Sequence, residues 1–261
     1  MPELPDLEVF KGNIFRQLTS KKLEGVEIFN QRKVQIPTGT SIDGIVDRQL
    51  MSISRIGKEL LFNFEDDKVI SAHLMLNGEI CIIPREKVNS VNYKIFAMYF
   101  ERESIIFSDR GGLCTIKFMP QIDGVPDALG NDFTLEYLRS KSIEKPRTNV
   151  KAFLIDQNIV KGIGNAYADE ILWRARISPK SLVGKIPDSK LEVLYQAIGN
   201  VLNDAIHSIR ALSPEIISGE ERSFLKVHNK TIKETETGFP IIVEKIASKT
   251  TYYTDEQVLY P

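Results

Sequence analysis

The stretch DQNIVKGIGNAYADEIL, residues 156–172, is the most informative segment inside the chain. An apolar helical segment leads into it, and Gly162 and Gly164 then permit a tight turn. Asn165 stands at the start of a second apolar-periodic segment, where its side chain can cap a helix. The stretch therefore predicts two helices joined by a glycine turn. Backbone N–H groups at such a helix start can bind a phosphate, although most glycine turns between helices are only connectors.

Helical patterns surround this turn on both sides. A Pro- and Gly-bearing segment, MPQIDGVP at 119–126, marks the boundary before them. Apolar periodicity predicts helices over 134–140, 150–157, 166–176 and 188–209. Beyond residue 213 the pattern becomes β-like again, with candidate strands at 241–243 and 250–253.

The part of the chain before this boundary has a different pattern. Residues 5–18 carry apolar side chains at helical spacing, which predicts an N-terminal helix. From Leu23 to about Phe118 short β-type runs alternate with turn signals such as Asn77-Gly78. Many short strands in series favour an antiparallel sandwich. The predicted fold class is thus α+β, an N-terminal antiparallel β-sandwich with an N-terminal helix followed by a helical domain.

The composition limits the functional classes. The 261 residues are 42% hydrophobic and 26% charged, as in ordinary globular proteins. No apolar run reaches the ~20 residues of a membrane span, and the N-terminus lacks a basic, apolar signal peptide, so we expect an intracellular protein. Two distant cysteines, Cys81 and Cys114, exclude a disulfide framework and a Cys-rich metal site. The net charge of −1 weighs against a DNA partner, but only the sign of one face matters for phosphate binding.

The first eight residues, MPELPDLE, contain a candidate nucleophile. Initiator methionine is normally removed before a small residue, and removal would expose Pro2 as a secondary amine. An α-amino group is partly neutral at physiological pH and can then attack a carbonyl-like carbon. Glu3 beside it could move the protons. The commoner meaning of such a sequence is a Pro-containing helix start with acids near the positive helix end.

This octet resembles MPELPEVE, which begins members of the formamidopyrimidine-DNA glycosylase / endonuclease VIII family, with Asp6 in place of a glutamate. In that family the terminal proline forms a Schiff base with C1′ of the damaged deoxyribose. The resemblance therefore implies Pro2 and Glu3 as catalytic residues. The stretch 156–172 is similar to the family's helix–two-turns–helix motif, which holds the phosphates that flank the lesion.

Two further positions follow from these motifs. The phosphate-binding asparagine of the family matches Asn165, and its acidic residue matches Glu170. Glu170 and Asp6 are accordingly the candidates for a lesion pocket.

Residues 55–62, RIGKELLF, resemble the family's R-R-G-K-x-L-L-F hairpin, whose lysine contacts phosphate near the damaged nucleotide. The resemblance thus adds Lys58 to the catalytic set.

The residues that would fill the space left by a flipped base are less well matched. Residues 71–78, SAHLMLNG, resemble S-H-L-G-M-S-G and place Leu76 at the intercalating methionine. An apolar wedge of this kind can hold an opened base stack apart. Residues 109–113, DRGGL, depart from the family's D-P-R-R-F-G, because Gly111 replaces the arginine and a leucine replaces the phenylalanine. Arg110 is the candidate to reach into the same space.

The C-terminal segment departs furthest from the family, which normally ends in a zinc finger with two cysteine pairs. The lead-in FLKVH and the strand pattern are retained, so the resemblance implies a zincless β-hairpin finger with no metal and no cofactor. Lys249 matches the family's phosphate-binding arginine and keeps its charge without the bidentate fork. The cysteine positions are held by Thr235, Thr237, Thr254 and Gln257.

Domain limits and substrate range follow from the same alignment of motifs. Residues 213–223 are too few for the long loop that closes over 8-oxoguanine in specialised members, so we expect a preference for oxidised pyrimidines or ring-opened formamidopyrimidines. The predicted domains are a catalytic sandwich at 1–122, a helix–two-turns–helix domain at 134–223 and a zincless finger at 224–261.

The resemblance implies a bifunctional DNA glycosylase and AP lyase of base excision repair, a hydrolase and lyase that excises oxidised bases and cuts the strand by β- or β,δ-elimination. Its partner would be double-stranded DNA containing oxidised bases or abasic sites, with no membrane association and the chain acting as a monomer. The protein would be cytoplasmic and nucleoid-associated in a bacterium, or otherwise intracellular. A catalytically weak or inactive protein that binds damaged or branched DNA on the same scaffold is the alternative. The altered wedge favours this alternative, whereas the retained Pro2, Glu3, Lys58 and Asn165 disfavour it.

Overall fold

The computed structural model describes all 261 residues, and the chain forms two compact units. Unit 1 comprises residues 1–2, 6–123 and 210–220, and unit 2 comprises residues 3–5, 124–209 and 221–261. Helix α1 (Leu4–Leu18) starts within unit 2 and continues within unit 1. None of the helices combines the length and the apolar character that a membrane-spanning segment needs.

Unit 1 is the predicted antiparallel sandwich. Its strands are β1 (Leu23–Ile28), β2 (Val34–Gln35), β3 (Leu50–Ile56), β4 (Glu59–Phe64), β5 (Lys68–His73), β6 (Glu79–Pro84), β7 (Lys94–Phe100), β8 (Glu103–Ser108) and β9 (Thr115–Phe118). One sheet has the order β1-β7-β8-β6 and the other the order β2-β9-β5-β4-β3. Every pairing is antiparallel except that of the two-residue β2 with β9.

The apolar core of unit 1 is built from both sheets and α1. Alternating residues of each strand point inward, as expected for sheets with one buried face. Phe62 and Phe107 meet edge to face with ring centroids 5.8 Å apart. Helix α1 adds Phe10 and Ile14, both fully buried, because their spacing places them on one helical face.

Residues 210–220 belong to unit 1, although the sequence placed them in a domain spanning 134–223. Ile216 and Ile217 pack against the apolar core of unit 1. The Asn13 side chain donates to the Ile216 carbonyl at 2.7 Å, and the Ile80 N–H donates to Ser218 Oγ at 3.1 Å. Two adjacent isoleucines and these bonds fix a short segment that the sequence pattern alone marked only as a connector.

Unit 2 contains the predicted helices and the C-terminal hairpin. The helices are α2 (Leu135–Glu144), α3 (Val150–Ile155), α4 (Asn165–Ala175) and α5 (Asp188–Leu212), the last of which extends into unit 1. The hairpin pairs β10 (Ile242–Ile246) with β11 (Lys249–Tyr253) in antiparallel register. Ala247 and Ser248 make its two-residue turn, both with positive φ, as a tight hairpin connection requires.

Candidate active site

The candidate nucleophile lies in a buried part of the chain. Pro2 is buried and Asp6 has no exposed surface. Met1 precedes Pro2, so the Pro2 nitrogen is an amide in the chain described, and the amino group belongs to Met1, where it forms an ion pair with Glu220. A nucleophilic Pro2 therefore requires removal of Met1.

The Glu3 carboxylate occupies the N-terminal end of α4. Its Oε2 accepts from the Gly164 N–H at 2.8 Å and from the Tyr167 N–H at 3.4 Å, and Oε1 accepts from the Ala166 N–H at 3.0 Å. The first N–H groups of a helix have no partner within the helix, and a negative charge is favoured at that end. These are the N–H groups that the sequence assigned to a phosphate, and Glu3 takes them instead.

Gly162 and Gly164 are required by the close approach of residues 3 and 4. A Cβ on Gly164 would lie 2.3 Å from Glu3 Cδ, and one on Gly162 would lie 2.6 Å from Leu4 Cδ1. Gly162 also has a φ of +101°, and its carbonyl accepts from the Leu4 N–H at 3.1 Å. The glycine turn is therefore the surface on which residues 3 and 4 are seated.

Asn165 does not cap α4 through its side chain, contrary to the sequence prediction. The N-cap is Gly164, and Asn165 is the first helical residue. Its Nδ2 donates to the Thr250 carbonyl at 2.9 Å. Thr250 follows Lys249 in β11, so unit 2 brings Asn165 and the exposed Lys249, two candidate phosphate contacts, to neighbouring positions.

A buried charge network holds β11 against α4. Asp169 and Lys151 have side chains with no exposed surface and are 2.7 Å apart. The Lys151 Nζ also donates to Thr251 Oγ1 at 2.7 Å, and Asp169 accepts from the Tyr252 N–H at 3.0 Å and contacts His228 Nδ1 at 2.7 Å. Burial lowers the pKa of Lys151, while the Asp169 carboxylate opposes that shift.

Glu170, a candidate lesion-pocket residue, has a different role in the structure. Its carboxylate accepts from the N–H groups of Lys226, Val227 and His228 at 2.8–3.0 Å. Burial raises the pKa of this carboxyl, and the three N–H groups oppose that shift. Both oxygens are thus engaged in holding the segment that leads to the hairpin, so Glu170 anchors that segment, and its place in a lesion pocket stays a prediction.

Lys58 lies in the turn between β3 and β4 and is only 8% exposed. The turn is fixed from α1: the Arg55 Nε donates to Glu8 at 3.1 Å, and the Arg55 Nη1 donates to the Gly57 carbonyl at 3.0 Å. Burial raises the pKa of Glu8, but Lys11 and Arg55 outweigh it, and the net shift is downward. Sequence reasoning gave Arg55 no role beyond membership of the RIGKELLF motif.

The two candidate wedge residues lie on neighbouring turns of unit 1. Leu76 is 56% exposed in the turn between β5 and β6, and Arg110 is exposed in the turn between β8 and β9. A Cβ on Gly111 would lie only 3.8 Å from Asn77 Nδ2, which shows how close the turns are. Buried Asp109 holds the second turn by accepting three N–H bonds, at 2.6–2.8 Å. The replaced arginine and phenylalanine therefore leave an ordered turn.

Comparison with known proteins matches both units. The N-terminal domain of formamidopyrimidine-DNA glycosylases matches residues 1–115, and their H2TH domain matches residues 125–213. The formamidopyrimidine-DNA glycosylase of Carboxydothermus hydrogenoformans is 30% identical, and the match covers 97% of this chain and 98% of that protein. The chain belongs to the formamidopyrimidine-DNA glycosylase family.

Solved structures of the family share the fold. A Lactococcus lactis formamidopyrimidine-DNA glycosylase variant bound to Fapy-dG-containing DNA is 25% identical with a TM-score of 0.83, over 97% of this chain and 98% of that one. The enzyme from the same organism bound to abasic-site DNA is 24% identical with a TM-score of 0.84 and the same coverage. This chain therefore has the fold of a family of DNA glycosylases that act in base excision repair.

Sequence reasoning missed one cationic region of this glycosylase fold. An open cavity of about 490 Å³ in unit 2 is lined by Arg222, Ser223, His228, Asn229, Lys230, Thr231 and Tyr252. The Arg222 guanidinium lies 5.0 Å from the Tyr167 ring centroid, and its Nη1 lies 3.3 Å from the Tyr167 hydroxyl. Arg222, His228 and Lys230 lie close together in the sequence, but their spacing follows no helical or strand period, so the sequence pattern did not mark this region.

Removal of one partner of the Lys151–Asp169 pair should strongly destabilise unit 2. Lys151→Met leaves a carboxylate buried without its cation, and we expect a loss of about 3 kcal/mol in the free energy of unfolding. Trp173, the single tryptophan, lies in unit 2, so its fluorescence during urea unfolding reports this change. Lys151→Met/Asp169→Asn should lose less than the two single variants added together. A single-variant loss below about 1 kcal/mol would contradict the assignment.

Proposed function

We propose that this glycosylase-family protein excises oxidised bases with Pro2 as the nucleophile and then cuts the strand as an AP lyase. The observation that carries the proposal is the fixed Glu3 carboxylate, held at the start of α4 by three N–H groups and adjacent in sequence to Pro2. The lesion nucleotide must leave the base stack, because its C1′ is unreachable inside the duplex.

The chemistry uses groups of the chain and of the DNA together with water. After Met1 is removed, the Pro2 amine attacks C1′ and gives its N–H proton to the Glu3 carboxylate, while the bond from C1′ to the base breaks and the base takes a proton from water. Glu3 passes its proton to O4′ as the sugar ring opens, which leaves an iminium between Pro2 and C1′. The iminium acidifies the C2′ proton, which the Glu3 carboxylate removes, and the 3′ phosphate is expelled by β-elimination. Water then hydrolyses the iminium and frees Pro2.

The DNA backbone would be held by three candidate donors. Lys58 would contact phosphate beside the damaged nucleotide, and Asn165 and Lys249 would contact the flanking phosphates. Leu76 and Arg110 would enter the gap left by the flipped base. We infer that the protein acts as a monomer on double-stranded DNA, as the family resemblance implies.

The alternative is a protein of the same fold that binds damaged or branched DNA without cutting it. The altered turn at Gly111 favours that alternative, since it lacks the family's arginine. The retained Pro2, Glu3, Lys58 and Asn165 disfavour it, because these are the residues to which the family resemblance assigns catalysis and phosphate binding. The enzyme is therefore the function that the geometry supports better.

The first test asks whether Pro2 forms a covalent intermediate. Borohydride reduces an iminium to a stable amine, so protein with a free Pro2 should give a protein–DNA adduct on abasic-site DNA. Protein that retains Met1, or carries an extension before Pro2, has no amine at Pro2 and should give little adduct. The measurement is the shifted band on a denaturing gel. Tight binding of the same DNA by processed protein without any adduct would replace the glycosylase proposal with the binding protein.

The second test moves the Glu3 side chain by a substitution at Gly164 and leaves residue 3 a glutamate. Gly164→Ala introduces a Cβ that overlaps the Glu3 carboxylate, so the side chain must shift. We expect base excision to fall by about 10²-fold or more, the usual contribution of general acid–base catalysis, as it should in Glu3→Gln. Binding of an abasic-site analogue should change little. Gly199→Ala, whose Cβ would meet nothing within 4 Å, is the matched control. Wild-type excision by Gly164→Ala would contradict the assigned role of Glu3.

The third test separates the two backbone contacts by their salt dependence. Lys249→Ala removes one cation, so binding of an abasic-site analogue should weaken and the slope of log K against log salt should fall by about one. Asn165→Ala should weaken binding without changing that slope, since the amide is neutral. Lys185→Ala, at another exposed lysine of unit 2, is the charge-matched control. Unchanged affinity and slope in Lys249→Ala would remove Lys249 from the interface.

The fourth test concerns the preferred lesion. Residues 210–220 are packed on unit 1, where Asn13 and Ile80 hold them, and so cannot provide a long loop over a flipped purine. We therefore expect oxidised pyrimidines and formamidopyrimidines to be excised faster than 8-oxoguanine. Single-turnover rates on duplexes that differ only in the lesion measure this. Faster excision of 8-oxoguanine opposite cytosine would contradict it.

A further inference from the structure

The residues at the base of the hairpin do not fit the zinc that the family's finger implies. Thr235, Thr254 and Gln257 are buried, and with Thr237 they offer hydroxyl and amide groups where zinc requires thiolate or imidazole. No group of three His, Cys, Asp or Glu side chains in the chain could hold a metal ion. Another interaction must therefore hold this end of the hairpin together.

The Glu256 carboxylate lies at the centre of these positions. Its oxygens accept from Thr237 Oγ1 at 2.7 Å, from Thr254 Oγ1 at 3.1 Å and from Thr235 Oγ1 at 3.4 Å. Thr237 and Thr254 thus donate to one anion, while the Thr235 hydroxyl also lies 2.8 Å from Thr237 Oγ1 and extends the network through it. The fourth, Gln257, accepts from the Thr254 N–H at 2.9 Å and donates to the Ile177 carbonyl at 2.9 Å.

Helix α4 supplies the remaining partners of Glu256. The Trp173 Nε1 donates to it at 3.1 Å, and the Arg176 Nη1 lies 2.7 Å from its other oxygen. The Arg176 guanidinium also stacks 5.0 Å from the Trp173 ring centroid. The Glu256 side chain is only 9% exposed. Burial raises its pKa, but the bonds from Thr237, Trp173 and Thr254 outweigh burial, and the net shift is downward.

The charge arrangement is the reverse of that in a zinc finger. There a cation gathers anionic thiolates, whereas here an anion gathers neutral donors and one guanidinium. Hydrogen bonds to an ionised acceptor are about twice as strong as neutral ones, so a single carboxylate can hold several hydroxyl groups. Glu256 also lies three residues after β11, the strand that begins with Lys249.

We propose that Glu256 is the organising centre of the hairpin base, in the place where the family's finger holds zinc, and that it positions β11 for DNA binding. The second part rests on the proposed phosphate contact of Lys249, and the first part does not. Glu256 is thus a positioning residue that acts through the hairpin and touches no DNA itself.

The test compares Glu256→Gln with Asp255→Asn, which removes the same charge from the exposed neighbouring residue. Amide hydrogen exchange over residues 242–253 should rise by about tenfold or more in Glu256→Gln, as expected when charge-assisted bonds are lost, and stay unchanged in Asp255→Asn. Trp173 emission should also shift in Glu256→Gln only. Metal analysis should find well below one zinc per chain, and a chelator should leave the Tm unchanged.

Binding of an abasic-site analogue completes the test. Glu256→Gln should weaken binding by about tenfold in the wild-type background and much less in the Lys249→Ala background, because both act through one contact. Thr237→Val removes one donor to Glu256 and should show smaller changes in hydrogen exchange and in DNA binding of the same sign. It is the test variant if Glu256→Gln does not fold. Exchange within twofold of wild type, or stoichiometric zinc, would overturn the organising role. If exchange rises but Lys249→Ala binds normally, the hairpin centre stands and the phosphate contact fails.

Discussion

The seating of Glu3 on the first turn of α4 is the interaction on which the rest of the proposed site depends. A helix start presents N–H groups that need an acceptor, and an intramolecular carboxylate satisfies three of them at once. The bonds fix the carboxylate in one orientation. Pro2 is the residue immediately before Glu3 in the sequence. They also require Gly164, since any side chain there would overlap Glu3. The need of these N–H groups for an acceptor thus explains why Glu3 is held at the start of α4 and why residue 164 is a glycine.

The same helix determines where the C-terminal hairpin lies. Asn165, Asp169 and Trp173 are four residues apart on one face of α4, and they contact Thr250, Tyr252 and Glu256 in that order. Each turn of the helix therefore fixes a successive part of β11 and the chain beyond it. The buried Lys151–Asp169 pair in the middle of this face is a weak source of stability, because desolvation offsets much of the attraction. What it does in the structure is tie α3 and α4 to β11, since Lys151 donates to Thr251 and Asp169 accepts from the Tyr252 N–H.

The sequence allowed prediction of those features that depend on local pattern. The helices, the sandwich strands and the hairpin follow from periodicity and turn residues, and the family motifs marked Pro2, Glu3, Lys58 and Asn165. Features that depend on distant residues were not predictable. Asn165 appeared to be a cap, because nothing local shows that Glu3, 161 positions before Gly164, takes N–H groups at this helix start. Glu256 is one of 35 acidic residues, and only the fold brings three threonines around it.

Burial also resolves the apparent conflict between a net charge of −1 and a DNA partner. Five acids, Glu3, Asp6, Asp109, Asp169 and Glu170, are buried, against two bases, Lys58 and Lys151. Without these seven groups the formal charge of −1 becomes +2, or +3 when Lys58, the proposed phosphate contact, is counted as accessible. The buried acids mostly bind backbone N–H groups, as Glu3, Asp109 and Glu170 do, and these bonds offset part of the cost of burying them. Phosphate binding is governed by accessible charge on one face, and a total that includes buried carboxylates underestimates it.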